Sequence, residues 1–321
     1  MSAFLNINGI HHAYGKTRVL ENCSFSAKQG ELVALLGESG SGKTTLLRLI
    51  AGFERPSSGS IVLNENILVD RNRFVVPEKR RVGMVFQDYA LFPHLTVNQN
   101  IAIGKSAADS LSIDDWLNLV GLDGLGQRKP HELSGGQQQR VAIARSLAAA
   151  PEILLLDEPF SNIDESLKFG FRMELRSILR KVGMNAIFVT HDTKDALAVA
   201  DSIVVLKDGC IRQAGTPQEI YAQPADTYAA GLMGPCSTLG KVDGKSVVIR
   251  AEHLNIVHPS QKTEKTIIGT VEHALYQGGH YLVGVQTDAH LLLARSNEAP
   301  ELGSTVALGY EQQHLMVLHE R

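Results

Sequence analysis

The chain has 321 residues, 44% hydrophobic and 20% charged, with a formal net charge of −3. This is an ordinary soluble globular composition, long enough for two domains, and it excludes disordered and collagen-like classes and any global attraction to nucleic acid or anionic lipid. The longest apolar runs, Ile153 to Leu156 and Ile203 to Leu206, fall far below the roughly 20 residues that cross a bilayer, and the start Met-Ser-Ala-Phe-Leu-Asn lacks signal-peptide regions, so the chain is expected neither to span a membrane nor to enter one unaided.

In chain order, Phe4, Leu5, Ile7 and Ile10 alternate as a strand, and Ser24 to Lys28 reads as a second before the turn Gln29-Gly30. Leu32 to Leu36, bounded by Gly30 and Gly37, reads as a buried strand, and Thr44 to Ala51 as the helix after it. Helical patterns follow at Gln137 to Ala150 and Leu167 to Lys181, with buried-strand patterns at Ile153 to Leu156 and Ala186 to Val189. This alternation predicts a parallel α/β sheet. After about residue 230 the texture changes to short alternating runs, Ser246 to Arg250, Ile267 to Val271 and Tyr281 to Gln286, which predict a small β domain. The expected domains are 1–235 and 236–321.

Cys23, Cys210 and Cys236 are odd in number and widely spaced, so they read as free thiols in a reducing cytosol. Neither the pair His11-His12 nor the scattered C-terminal histidines, His253, His258, His273, His280 and His290, have metal-ligand spacing, and surface or packing roles are expected.

Three segments carry chemistry. Gly37-Glu38-Ser39-Gly40-Ser41-Gly42-Lys43-Thr44 matches G-x-x-x-x-G-K-[ST] between a strand and a helix. Its glycines let backbone N–H groups converge on phosphate oxygens at a helix N-terminus, Lys43 reaches the β- and γ-phosphates, and the Thr44 hydroxyl suits Mg²⁺. A nucleoside triphosphate with Mg²⁺ is therefore expected to bind. Ile153-Leu154-Leu155-Leu156-Asp157-Glu158-Pro159 is an apolar strand ending in two carboxylates, which places Asp157 for the magnesium shell and Glu158 to polarise an attacking water. Leu133-Ser134-Gly135-Gly136-Gln137-Gln138-Gln139-Arg140 opens a second helix N-terminus, which fits either a second phosphate-binding surface or a plain N-cap and turn.

The order of these three segments resembles the nucleotide-binding subunit of an ABC transporter over about residues 4 to 235. The resemblance implies that the nucleotide is ATP, and that it is held by a P-loop cassette with a mixed sheet and a helical subdomain, in which Tyr14 stacks on adenine, Thr45 joins the phosphate loop, Gln87 senses magnesium and water, and His191 contacts the γ-phosphate. Taken singly, Tyr14 also fits a turn aromatic, Gln87 a buried backbone partner and His191 a core histidine; their joint order favours the functional roles. Ser161-Asn162-Ile163-Asp164 departs from the Ser-Ala-Leu-Asp common at that place in the family but keeps Asp164. With Glu158, His191 and Gln87 all present, a competent ATPase is expected, its turnover lost on Glu158→Gln.

The resemblance further implies two copies facing head to tail, Ser134, Gly136 and Gln137 of one closing on the ATP held by Lys43 of the other. Lacking a membrane segment, such a subunit docks on integral membrane permease subunits at the cytoplasmic face of the inner membrane, serves a substrate-binding protein indirectly, and has no nucleic-acid partner. The run Asp88-Tyr89-Ala90-Leu91-Phe92-Pro93-His94-Leu95-Thr96 suits a groove for a permease helix, or else Leu91, Phe92 and Leu95 pack inward. The C-terminal region, with Ile249-Arg250-Ala251-Glu252 and Gly269-Thr270-Val271-Glu272, is similar to an OB-like TOBE domain that regulates or dimerises importer ATPases for iron, polyamines, sulfate, molybdate or sugars. Within that group the layout most resembles the ferric iron import ATPases, which work with a periplasmic ferric-binding protein. A soluble ABC ATPase outside transport is the alternative, disfavoured by the single cassette and the absence of a heptad run.

Overall fold

A computed structural model describes residues 3–257 and 265–320. Two compact units divide the chain, Met1–Pro217 and Gln218–Arg321. Among the described residues no helix is long and apolar enough to cross a membrane, and Cys23, Cys210 and Cys236 are free thiols.

The first unit opens with a hairpin, β1 (Leu5–Tyr14) and β2 (Thr17–Ala27), turned at Gly15 with φ 59°. β3 (Leu32–Leu36), buried at all five positions, leads through the glycine loop into α1 (Lys43–Ala51). β4 (Ser58–Leu63) and β5 (Asn66–Val69) join the hairpin in an antiparallel sheet of order β2-β1-β4-β5. Then come β6 (Val82–Val85), α2 (Val97–Gly104), α3 (Ile113–Leu119), α4 (Gly135–Ala148), β7 (Ile153–Asp157), α5 (Glu165–Lys181), β8 (Asn185–Thr190), α6 (Thr193–Val199), β9 (Ser202–Lys207) and β10 (Cys210–Gly215). The second sheet has the order β10-β9-β3-β8-β7-β6, parallel except for β10. The cassette is thus mixed rather than wholly parallel. Short turns between β1 and β2 and between β4 and β5 permit only antiparallel pairing, whereas the helical crossovers deliver parallel strands.

One apolar cluster joins the two sheets through α1, whose Leu46, Leu47, Leu49 and Ile50 meet Leu5, Ile7 and Ile10 together with Val33, Leu35, Ile153, Leu155 and Ile187. Each such side chain contributes about 1.5–3 kcal/mol by leaving water, which holds the helix rigidly behind the loop it caps. Its C-terminus is closed by Arg80, almost wholly buried, whose guanidinium donates to the carbonyls of Leu49 (2.7 Å), Ile50 (2.8 Å) and Val75 (2.6 Å). Burial pulls this guanidinium down to about 10. Gly52 must lack a side chain there, since a Cβ would lie 2.3 Å from Arg80 Nε, and its φ is 89°. Arg80→Ala strands buried carbonyls at roughly 1–3 kcal/mol each, and a thermal midpoint lowered by roughly 5–10 °C in calorimetry is the expected result.

α7 (Pro217–Ala222) and α8 (Thr227–Met233) precede the strands of the second unit. β11 (Cys236–Val242), β12 (Lys245–Arg250) and β18 (Met316–Leu318) form one antiparallel sheet. β13 (Asn255–Val257), β14 (Thr266–Tyr276), β15 (Tyr281–Gln286), β16 (Leu291–Ser296) and β17 (Thr305–Gly309) form another, in the order β13-β17-β14-β15-β16. Arg250, buried at the end of β12, donates to the carbonyls of Tyr221 and Ala230 and lies 3.8 Å above the Tyr221 ring, fastening the two helices to the strands. Among the described residues the unit is all-β apart from these helices and short 3₁₀ turns.

Candidate functional site

The register of the parallel sheet gathers the sequence motifs at one end. Leu36 stands opposite Thr190, and Asp157 opposite Val189. Gly37, Glu158 and His191 therefore leave three neighbouring strands at the same carboxyl edge, the place where open α/β sheets bind ligands.

The loop after β3 is built for close backbone approach. A Cβ at Gly37 would lie 2.1 Å from Leu206 O, and Gly42, with φ 100°, would press 2.7 Å from Leu20 Cδ2. Lys43, 5% exposed, folds over the loop and donates from Nζ to Gly37 O (2.9 Å) and Glu38 O (2.7 Å). Burial pulls its ammonium down, while Glu158, Asp157 and Glu38 hold it up. Ser39, Gly40, Gly42, Lys43, Thr44, Thr45 and Glu158 surround a cavity of about 290 Å³ that also reaches Val19. Loop N–H groups, a buried ammonium and a helix N-terminus together suit an anion.

Thr44 Oγ1 donates to Asp157 Oδ1 at 3.1 Å. Burial pushes the Asp157 carboxyl up, the Thr44 hydroxyl pulls it down, and Glu158 pushes it up again. A hydroxyl, a carboxylate and the exposed Gln87 amide are hard oxygen donors that suit Mg²⁺, an ion that takes only one or two protein carboxylates and completes its shell with phosphate and water. Among the described residues no group of three or more His, Cys, Asp or Glu could hold a metal. His258 lies outside the described residues, and His253 stacks on His314 at 3.9 Å between ring centroids.

Glu158 adopts φ 47°, a left-handed conformation rare for a residue with a side chain. Such strain persists where the surroundings enforce it and clusters at functional sites. Its Oε1 lies 3.4 Å from His191 Nδ1, and the His191 side chain is 55% exposed, so it is not a core histidine. Glu158 and His191 both line a cavity of about 90 Å³, large enough to admit water next to the pair.

Tyr14, 48% exposed, closes the β1 ladder and donates from its hydroxyl to Glu54 Oε2. Glu54 also receives Arg48 Nε at 2.8 Å and lies 3.1 Å from His12 Nε2, and the His12 ring meets the Tyr14 ring edge-on at 4.8 Å. Burial and Glu54 push the Tyr14 hydroxyl up, whereas a Thr45 hydrogen bond pulls it down. The ring is thus presented to solvent by an anchored hydroxyl. Glu54 was not legible from the motif because it stands 40 residues from its partner.

Ser134 caps α4 in a reciprocal box: its Oγ accepts from Gln137 N (3.4 Å), and Gln137 Oε1 accepts from Ser134 N (3.0 Å). This cap starts the helix at Gly135, ahead of the expected Gln137, and Ala150 with φ 49° lies beyond its end. Gly136 has open space where a Cβ would stand. Ser134, Gly136 and Gln137 line a cavity of about 460 Å³ with Asp164 and Glu174, not the cavity of Lys43. Within one chain the helix end at Ser134 and the helix end at Lys43 do not share a cavity.

Asn162, the departure in its motif, donates from Nδ2 to Gln87 O at 2.8 Å, joining two loops that sequence alone leaves unrelated. Beyond Gln87, Tyr89 and Ala90 take φ 63° and 45°, held by Arg145 donating to both carbonyls (3.0 and 2.7 Å). The buried Asn100 then ties the next turn through Phe92 N (2.9 Å) and the carbonyls of Leu95 and Thr96. Phe92 consequently points outward, 41% exposed, while Leu91 and Leu95 are half-buried. Phe86 and Phe53 pair at 5.9 Å, both exposed.

Family models for the ABC transporter and the TOBE domain match residues 20–161 and 247–318. The Fe(3+) ions import ATP-binding protein of Rhizobium etli is 38% identical over 98% of this chain and 98% of that protein. The spermidine/putrescine import ATP-binding protein of Oleidesulfovibrio alaskensis is 45% identical over 73% of this chain and 63% of that protein. Among solved structures, cbiO1 from Clostridium perfringens, part of the ABC transporter complex cbiONQ, aligns with TM-score 0.62 and 30% identity over 68% of this chain and 91% of that chain. A dimeric ATP-binding cassette in a post-hydrolysis state, bound to ADP and Pi, aligns with TM-score 0.57 and 31% identity over 66% of this chain and 98% of that chain.

Proposed function

This chain belongs to the ATP-binding subunits of ABC transporters, and from that membership we propose that it is the ATP-hydrolysing subunit of a ferric iron importer. The observation that carries the cargo is the match to the R. etli iron-import protein across 98% of both chains, the C-terminal unit included. The polyamine-import relative, at higher identity over a shorter stretch, supports the second reading, the same ATPase serving a polyamine.

The geometry supports the following division of work. Tyr14 offers its ring face to the adenine, Gly37 to Gly42 turn their N–H groups to the phosphates, Thr45 flanks them, and Lys43 swings from its loop carbonyls to the β- and γ-oxygens. Thr44, Asp157 and Gln87 would hold magnesium, which would supply positive charge to offset that of the phosphates. Glu158 accepts the proton of the attacking water, and His191, within reach of that carboxylate, contacts the γ-phosphate. A second copy completes the site by bringing Ser134, Gly136 and Gln137 to the same phosphates. Hydrolysis then removes what bridges the two copies. The exposed Phe53, Phe86 and Phe92 support docking on a permease helix, and a subunit so docked would sit peripherally on the cytoplasmic face of the inner membrane. The unit Gln218–Arg321 serves as the regulatory or dimerisation domain.

Uptake of radiolabelled ferric citrate and of spermidine, in host cells lacking the chain, tests the cargo. The proposal expects ferric uptake to be lost and restored by the wild type but not by Glu158→Gln. Loss of spermidine uptake with intact ferric uptake would establish the polyamine reading.

A further inference from the structure

Three arginines stand one helical turn apart on α5: Arg172, Arg176 and Arg180. All three stitch the helix to the segment after β8. Arg176 donates to Ala198 O (3.0 Å) and lies 3.3 Å from Asp201, which also pairs with Arg180. Arg172 differs in burial and in target. It is 6% exposed, and its guanidinium meets Asp195 Oδ1 through Nε (2.7 Å) and through a terminal nitrogen (2.6 Å), with Asp192 Oδ2 at 3.2 Å.

Those two carboxylates govern the turn that carries His191. Asp195, 3% exposed, accepts from Thr190 Oγ1 at 2.8 Å, and Thr190 Oγ1 accepts from Asp192 N at 3.0 Å. Asp192 caps α6 by accepting from Lys194 N at 2.8 Å. The residues before and after His191 are therefore both members of one buried network whose cation comes from α5. Burial pushes the Asp195 carboxyl up, and Thr190 and Arg172 pull it back. Only the His191 ring leaves the network, towards Glu158.

We propose that Arg172 is a positioning residue for hydrolysis: its fork on Asp192 and Asp195 locks the His191 turn to α5 and so sets the distance between His191 and Glu158. This rests on the reading of His191 as the γ-phosphate contact. Nothing in the sequence motifs points to residue 172, because the signal is a stripe of arginines at helical spacing whose partners lie on a different element. A fork matters here because one planar group must hold two carboxylates in fixed relation, which a lysine ammonium does not do.

The test compares Arg172→Met/Asp195→Leu, Arg172→Lys, and Arg180→Met as a matched control from the same stripe, reading kcat, KM for ATP and thermal midpoint. The double variant exchanges the buried pair for apolar groups, a change that often preserves stability. The proposal expects kcat to fall about 10-fold or more, the scale of sub-ångström to ångström misplacement, with KM little changed and the midpoint near wild type. Arg172→Lys should fall between, and Arg180→Met should lower the midpoint while keeping kcat. A folded double variant with wild-type kcat overturns the proposal, as does a loss of kcat that tracks the midpoint equally in the Arg172 and Arg180 variants. If the double variant does not fold, Arg172→Lys decides by the same kcat criterion. His191→Ala is run alongside: full turnover there sinks the assignment of His191, whereas its loss together with intact Arg172 variants sinks only the positioning role.

Discussion

The Glu158→Gln protein is expected to bind ATP as the wild type does and to hydrolyse it about 10²–10⁴-fold more slowly, the range for loss of a general base. The substitution isolates the chemistry because glutamine keeps the shape and the left-handed backbone at φ 47° that places residue 158 at the strand edge. It removes only the charge that draws a proton from water. The His191 ring, 3.4 Å from the carboxylate, retains a hydrogen-bond partner in the amide, so the local geometry has no reason to collapse. Phosphate release measured with ATP in excess reads the rate, and a trapped ATP-bound dimer in sedimentation is the accompanying result. Turnover within threefold of wild type would remove Glu158 from the role of base.

Much of this site is legible in the sequence because it is local. The glycine loop, Lys43 and Thr44 lie within eight consecutive residues, and β3 and α1 frame them as their apolar patterns predict. Asp157 and Glu158 follow a strand whose apolar run is unambiguous. What sequence alone leaves out is non-local. The antiparallel sheet of β1, β2, β4 and β5 depends on which edge each strand finds, and alternation by itself does not name the partner. Glu54 behind Tyr14, Asn162 beneath Gln87 and Arg80 behind α1 are polar side chains whose meaning comes only from a partner 40, 75 or about 30 residues away. The serine of the Ser134 motif illustrates the opposite limit. The helix cap and the phosphate role need the same residue, so both readings describe one geometry, and the capping box seen within one chain does not choose between them.

Outward or inward packing at Leu91, Phe92 and Leu95 was likewise open in sequence, because composition alone does not orient a loop. Asn100 decides it from a neighbouring helix. By binding the backbone on both sides of the turn, it fixes which ring faces out.

Lys43→Met is expected to abolish nucleotide binding without harming the nucleotide-free fold, and the two halves of that result have different causes. Lys43 is 5% exposed, and in the folded loop its charge is opposed by burial and supported by Glu158, Asp157, Glu38, two loop carbonyls and the Ser41 hydroxyl. Removing a buried charge relieves desolvation, while the carbonyls of buried Gly37 and exposed Glu38 lose their donor, so the terms oppose each other and the thermal midpoint without nucleotide should stay near wild type. Phosphate oxygens change the balance, because they supply the counter-charge that the loop lacks. Losing a desolvated charge pair of this kind costs about 2–5 kcal/mol, or roughly 30- to 5,000-fold in affinity. The wild type should therefore show a thermal midpoint that climbs with ATP concentration, as any ligand of the native state produces, and the variant should show a flat line over the same range. A wild-type rise in the Lys43→Met protein would mean that the loop N–H groups hold the triphosphate by themselves and that the lysine acts only in turnover. Comparison with Glu158→Gln then separates the two ends of the site, since that protein keeps the rise in midpoint and loses the hydrolysis.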